Sequence, residues 1–414
     1  MALKRVVNGI HVSNSRHWDV EQMLRVARTN GAVTILHHMM FPRDELIDQY
    51  GDVENAYWYG KLRHGWPAQG IPPAPERFIH VRLFQPNWRD YDPRAVAQQS
   101  VNLLSNWRFE GLAADLWQDP LVGVSPCNEQ NLEPVGNKEY ALHARWQLDF
   151  WTELDRLLPK RKALSVLGAW AYGGDVQPDV PDSEYQVPEV RALLDYVDVL
   201  ATHPYAHYEW GLDAGRATVD PARDGYWHLL RDFRPEGWRD SVQPGRPHDI
   251  GGLLAQVPGK PLLISEAGTF RHSDRALTQE TLWGMRTLLE TAAKSGRVLG
   301  VTWFIWNSGP EHAGNLIWEN PDLRAGMEAL PDYTTTCGVP LHGAAPTPIP
   351  EPVVTGGEVH ERVVKRDGYT PVARRLLGRE PTRAEVGELS AYNGNAKLVP
   401  GACVRSPWHK AVRK

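Results

Sequence analysis

The sequence predicts an α/β fold, a (β/α)8 barrel, followed by a small α+β domain at the C-terminus. Eight short apolar, β-branched segments alternate with helical patterns up to about residue 320, the order that parallel strands and crossover helices produce. Glutamates stand at the ends of the fourth and seventh segments, where barrel enzymes carry their chemistry. A Pro-rich break then separates a compact C-terminal segment from everything before it.

In order, the strands are expected at 5–12, 32–37, 78–84, 121–126, 162–167, 197–203, 261–266 and 298–306. Each is a short β-branched or apolar run bounded by turn residues. Helices are expected at 20–29, 93–109, 139–158, 187–196 and 278–294, where apolar residues recur at helical spacing. The stretches 39–77 and 204–260 are long, and in a barrel such loops belong at the C-terminal face of the strands, where substrates bind. They hold Trp58, Trp66, Trp210, Trp227 and Trp238. Those indoles suit either sugar stacking or packing of the loops on themselves.

Composition shifts at Gly343, after which Pro346, Pro348, Pro350 and Pro352 interrupt any helical or strand period. The expected division is a catalytic domain at 1–335, a Pro-rich linker at 336–357 and a second domain at 358–414. The net charge of -5, with no long Lys and Arg block, lacks the basic footprint that nucleic-acid binding needs. Cys127, Cys337 and Cys403 are too few and too widely spaced for a disulfide framework or a zinc knuckle, so no metal or cofactor is expected. MALKRVVNGIHVSN has no apolar stretch of the kind a signal peptide carries, and no apolar run reaches the roughly 18 residues of a membrane span. Of the 17 tryptophans, 16 precede residue 320, a hint of a glycan-facing surface in the barrel.

The fourth segment ends VGVSPCNEQN, which puts Asn128 and Glu129 at the barrel rim; the seventh ends PLLISEAGT, which puts Glu266 there. Two carboxylates facing each other across a barrel mouth, about 5 Å apart, are what retaining glycoside hydrolysis requires, one giving a proton and one attacking the anomeric carbon. The sixth segment ends ATHPYAHY and brings His203 and Tyr205 to the same mouth. Arg82, inside FIHVRLFQP, is a charge within an apolar strand and needs a partner. His11, His37 and His38 end the first two strands and are placed to hydrogen-bond sugar hydroxyls.

These residues resemble clan A of the glycoside hydrolases, which are TIM barrels with an Asn-Glu acid/base pair on strand four and a nucleophile Glu ending strand seven. The resemblance covers residues 1 to about 320. It implies that Glu129 is the acid/base, Glu266 the nucleophile, and Asn128 a ligand of the sugar 2-hydroxyl. It further implies that Tyr205 orients the nucleophile and Trp306, in VTWFIWNSG, floors the subsite of the reacting sugar. The clan has an inward Arg near the nucleophile on strand two, whereas Arg82 here is on strand three.

The segment EVHERVVKRDGYTPVARRLLGREPTRAEVGELSAYNGNAKLVPGACVRSP resembles a LysM domain, with a βααβ order. That implies binding of N-acetylglucosamine-containing glycans by loops holding Asp367, Gly368, Tyr369, Thr370, Asn393, Gly394, Leu398 and Pro400. This chain has Gly-Tyr-Thr-Pro where that family often has Gly-Asp-Thr-Leu. Together the two resemblances imply a monomeric enzyme acting on a polysaccharide, with bacterial peptidoglycan favoured, at the cell wall or outside the cell in the manner of a phage-type lysin. Tethering a weak glycan-binding module would concentrate the enzyme on an insoluble substrate. Three other readings stay open, the first a retaining hydrolase of another polysaccharide, an exopolysaccharide or a plant glycan. A metal-dependent hydrolase would need His-x-His on the first strand, which has only His11. A glycan-binding protein without activity would bind a glycan and cleave none.

Overall fold

The computed structural model describes residues 5–12, 20–28, 30–38, 59–60, 62–65, 72–84, 91–104, 115–127, 137–172, 187–205, 257, 259–269, 271–306, 314, 316–343, 359–362, 382, 386 and 403–406. The chain divides into two units, Met1–Ser241 with His248–Thr347, and Val242–Pro247 with Pro348–Lys414.

The first unit is built on one parallel sheet. In chain order its strands are β2 (Asn8–Val12), β3 (Val33–His38), β4 (Ile79–Phe84), β5 (Val122–Ser125), β6 (Leu164–Ser165), β7 (Trp170–Tyr172), β8 (Leu200–Pro204), β9 (Leu262–Ala267) and β10 (Val298–Trp303). They neighbour one another in the order β6-β5-β4-β3-β2-β10-β9-β8-β7. The fifth barrel strand is the interrupted run from β6 to β7, because β6 pairs with β5 and β7 pairs with β8. Between the two, Val166 bridges Val199, Leu167 N donates to Val199 O at 2.9 Å and Asp198 N to Ser165 O at 2.8 Å. The ladder therefore closes on itself as eight parallel strands, which leaves no open edge.

The expected strand 5–12 is divided at Val7. Its first part, β1 (Arg5–Val6), pairs antiparallel with β11 (Thr334–Thr335), and Val7 N donates to Tyr333 O, so only β2 enters the barrel. Helices occupy Val20–Ala27, Pro93–Leu104, Asn137–Leu157, Pro188–Tyr196 and Thr278–Ser295, and another, Pro321–Glu328, follows β10. Apolar residues on the outer face of the strands, such as Ile10, Ile35, Val81 and Ile264, pack with Met23, Trp151, Leu193 and Leu288 from the helices in one core. Burying each side chain of that size contributes about 1.5–3 kcal/mol. No helix among the described residues is long and apolar enough to cross a membrane.

Local chemistry sets the helix ends. Thr278–Ser295 stops at Gly296, whose φ of 63° is the left-handed C-terminal conformation that glycine adopts without a Cβ clash. Pro321–Glu328 begins with Pro at its first position and is capped by Asn320, whose Oδ1 accepts from Leu323 N at 3.0 Å. The amide nitrogen of Asn320 also donates to His272 O at 2.9 Å and to Thr278 Oγ1 at 3.0 Å, tying the last helix to the start of the one before it. Asn320→Ala is expected to cost about 2–3 kcal/mol, the cap plus buried groups left without partners, measured as a shift in the denaturant midpoint.

Residues 336–343, expected in the linker, run with the first unit. Cys337 is buried, His342 Nδ1 lies 2.8 Å from Asp198 Oδ2, and Gly343 N donates to Asp198 Oδ1 at 3.0 Å. The other ring nitrogen of His342 is 3.7 Å from Asp155, which also accepts from Tyr196 and, at 2.6 Å, from Arg161. Composition alone does not show this, because the packing of Cys337 and Val339 and the contacts of His342 are all made with segments distant in sequence. The contacts with Asp155 and Asp198 raise the pKa of His342 above the ordinary histidine value. Burial would raise Asp155, but His342, Arg161 and Tyr196 bring it down to about 2. The histidine's contribution is thus full below about pH 6.5 and lost as pH rises through its elevated pKa; that of the carboxylate is present above about pH 4 and lost towards pH 2. His342→Ala should cost about 1–2 kcal/mol near pH 5 and much less by pH 9, read from denaturation at both pH values.

In the second unit, β12 (Val359–Arg362) and β13 (Cys403–Ser406) form an antiparallel pair in register Val359 to Ser406 and Arg362 to Cys403. Val386 N donates to Thr382 O at 3.1 Å, a helical turn. Asp367, Gly368, Tyr369, Thr370, Asn393, Gly394, Leu398 and Pro400 lie outside the described residues.

Candidate active site

Alternation along the strands grades the barrel interior from apolar to charged. Ala32, Phe78, Leu164, Val166, Val199, Ala201, Leu263 and Leu299 form an apolar layer nearest the N-terminal ends of the strands. Two residues beyond Ala32, Phe78 and Leu263 come Thr34, His80 and Ser265, and with Ser125 and Thr302 they are all buried and linked by hydrogen bonds. At the C-terminal ends the same inward face presents His11, Arg82 and His203. Phe78, His80 and Arg82 show all three levels on one strand.

Glu266 joins the upper level by a backbone irregularity. Along β9 a strict period of two would turn Glu266 outward with Leu262 and Ile264, which pack in the outer core. The pairing of β9 with β10 shifts between Val301, opposite Ile264, and Trp303, opposite Ala267, so β9 carries one extra residue there. A bulge of this kind re-aims side chains. Both Ser265 and Glu266 consequently reach inward: Ser265 Oγ lies 3.0 Å from His203 Nε2, and Glu266 meets Arg82.

The Glu266 carboxylate, 3% exposed, is surrounded by donors. Arg82 donates to Oε1 and the Tyr205 hydroxyl to Oε2. His203 Nδ1 stands 3.5 Å from Oε2 and His11 Nε2 3.8 Å from Oε1. Phe304 closes the side, its ring 5.0 Å from that of His11 and 6.3 Å from that of Tyr205. Burial by itself raises the pKa of Glu266, but the Arg82 guanidinium, His203 and the Tyr205 hydroxyl outweigh it and hold the carboxyl below the ordinary glutamate value. A buried, ionised carboxylate at the mouth of a barrel is equipped to act as a nucleophile or as a fixed negative charge.

Sequence reasoning singled out five residues that the fold brings together: His11, Arg82, His203, Tyr205 and Glu266. Arg82 lies on the third barrel strand and still reaches Glu266. Asn128 and Glu129 lie outside the described residues, which stop on that loop at Cys127, two positions beyond β5. The backbone of His37 is in β3, opposite Leu83, and its side chain is outside the described residues. Trp306 is 1% exposed and packs in the core, 6.1 Å from the ring of Trp318. Sequence reasoning missed Thr34, His80, Ser125, Ser265 and Thr302. The signal for His80 was present, since it stands two residues before Arg82 and so shares its face.

Among the described residues no group of His, Cys, Asp or Glu is arranged to hold a metal ion. No protein-family model matches the sequence, and no curated protein matches it. Solved structures similar to the chain include PbGH5A, a glycoside hydrolase family 5 enzyme from Prevotella bryantii B14, at 11% identity and a TM-score of 0.45 over 79% of this chain and 99% of that one. Another is a GH128 (subgroup II) endo-beta-1,3-glucanase from Sorangium cellulosum, at 12% identity and a TM-score of 0.42 over 80% of this chain and 100% of that one. A third, described as a glycoside hydrolase, is 14% identical with a TM-score of 0.44 over 74% of this chain and 89% of that one.

Proposed function

We propose that the chain is a retaining glycoside hydrolase that cleaves a polysaccharide by double displacement. The observation that carries this reading is Glu266, buried at the end of the seventh barrel strand and held ionised by Arg82 and Tyr205. In the first step a carboxylate oxygen of Glu266 attacks the anomeric carbon while Glu129 protonates the departing glycosidic oxygen, with Asn128 on the 2-hydroxyl. Bond formation removes the negative charge of Glu266. The pKa of Glu129 then falls, and the same residue takes a proton from the water that releases the sugar. Tyr205 and Arg82 keep the attacking oxygen in line and receive the carboxylate when it is regenerated.

The substrate class in this proposal is bacterial peptidoglycan or a related N-acetylglucosamine-containing glycan, met at the cell wall or outside the cell by a monomer without a cofactor. The sequence of residues 358–414 supports it through its LysM-like pattern. The test incubates wild type, Glu266→Ala and Glu129→Gln with peptidoglycan, chitin and a panel of plant and exopolysaccharides, following reducing ends and the anomer first formed by proton NMR. Retention of configuration by wild type, with both variants inactive, is expected. Full activity of either variant, or inversion, would overturn the mechanism; cleavage of a different glycan would move only the substrate.

A further inference from the structure

Beneath the Arg82–Glu266 pair runs a chain of four buried side chains ending on a backbone carbonyl. Ser125 Oγ is 2.9 Å from His80 Nε2, and His80 Nδ1 is 3.3 Å from Thr34 Oγ1. Thr34 Oγ1 is 2.9 Å from Thr302 Oγ1, and Thr302 Oγ1 donates to the carbonyl of Ser265 at 2.7 Å. None of the five residues is more than 1% exposed.

Donor counting fixes every direction in this chain. A carbonyl can only accept, so the one hydroxyl proton of Thr302 points at Ser265, with Ile264 O, 3.3 Å away, as the other carbonyl in reach. Thr302 must therefore accept from Thr34. The proton of Thr34 is then committed, and Thr34 must accept from Nδ1–H of His80. Complete burial, reinforced by the charge of Arg82, pushes the pKa of His80 well below the ordinary value. With one proton on the ring and that proton on Nδ1, Nε2 accepts from Ser125. Every proton in the row points the same way, towards the bulge that turns Glu266 inward.

Resting on the reading of Glu266 as nucleophile, we propose that His80 is a positioning residue: as the Nδ1–H tautomer it completes a one-way hydrogen-bonded chain, Ser125 to His80 to Thr34 to Thr302 to the Ser265 carbonyl, that holds the β9 bulge and so the aim of Glu266 at Arg82 and Tyr205. The chain crosses from β5, whose continuation in sequence leads to Asn128 and Glu129, through β4, β3 and β10 to β9. Its members touch no substrate. They act through the backbone of residue 265, next to the reacting carboxylate.

Four measurements on the full chain test this. In protein labelled with 15N-histidine, two-bond proton–nitrogen correlations at pH 7, assigned by the signal lost in His80→Asn, should show Nδ1 protonated and Nε2 bare. Thr302→Val, which cuts the last link with little change of volume, should lower kcat about 10–100-fold with KM within about twofold, as expected for a small misplacement of a reacting group. It should also move the acidic limb of kcat/KM, and the carboxyl titration of Glu266 read by 13C NMR, to higher pH. His80→Asn, whose amide nitrogen can stand in for Nδ1, should retain more activity than His80→Leu. An Nε2–H tautomer or an imidazolium at pH 7 overturns the proposal, as does a Thr302→Val protein with wild-type kcat and an unmoved Glu266 titration. If instead Glu266→Ala is fully active, the nucleophile reading fails, while the tautomer and the 13C titration still decide the chain.

Discussion

Glu266→Ala is expected to lower kcat by at least about a thousandfold on the best substrate, with the fold retained, because the proposed double displacement forms its glycosyl bond on this carboxylate. Glu266→Gln should be as inactive, although it preserves volume and could still accept from Tyr205. The amide has lost the negative charge that attacks. Small anions such as azide fit the space that alanine leaves, and their addition should restore part of the activity of Glu266→Ala, with a glycosyl azide of inverted configuration as product. That rescue separates a missing nucleophile from a damaged fold. A Glu266→Ala protein that turns over at the wild-type rate, or an azide product of retained configuration, would end the assignment.

Arg82→Met should be nearly as severe, for an electrostatic reason. Arg82 and Glu266 are both almost fully buried, and breaking such a pair from one side leaves a charge without a partner, at about 3–5 kcal/mol. With the guanidinium gone, the largest opposition to the desolvation of Glu266 is lost, and its pKa rises. The carboxylate with its depressed pKa contributes stability above about pH 4.3 that is lost as pH falls through the folded value. In Arg82→Met that contribution shrinks, and the acidic limb of kcat/KM moves to higher pH. Arg82→Lys should recover little, since a point charge on a flexible stem does not reproduce the planar donor set facing Glu266 and His203. A pH–rate profile and denaturant unfolding at pH 7 check both effects. An unmoved acidic limb would mean that Arg82 does not govern the ionisation of Glu266.

Much of this was legible before folding was considered. Strand positions followed from β-branched runs, because a strand buried on both faces cannot tolerate polar residues in its middle except where partners await them. FIHVRLF shows this directly: its two polar residues, His80 and Arg82, stand two apart, and the fold places them with Phe78 on one inward face. The clustering of His203, Tyr205 and Glu266 followed equally from strand ends, since parallel strands in a closed barrel deliver their C-terminal residues to one rim. Glu266 itself was found by its place at the end of an apolar run.

Its orientation was not. Local periodicity puts Glu266 on the outer face with Ile264, and only the pairing of β9 with β10, which inserts one extra residue, turns it towards Arg82. The partners of His80 come from β3 and β5, those of Thr302 from β3 and β9, and the clasp of His342 on Asp198 joins positions far apart in sequence. Period and composition are properties of neighbours along the chain, so the sequence by itself determined the number of barrel strands, the shared face of 78, 80 and 82, and the rim to which the strand ends deliver His203, Tyr205 and Glu266. Hydrogen bonds and ion pairs between distant segments depend on strand register, and register is decided only when the barrel closes.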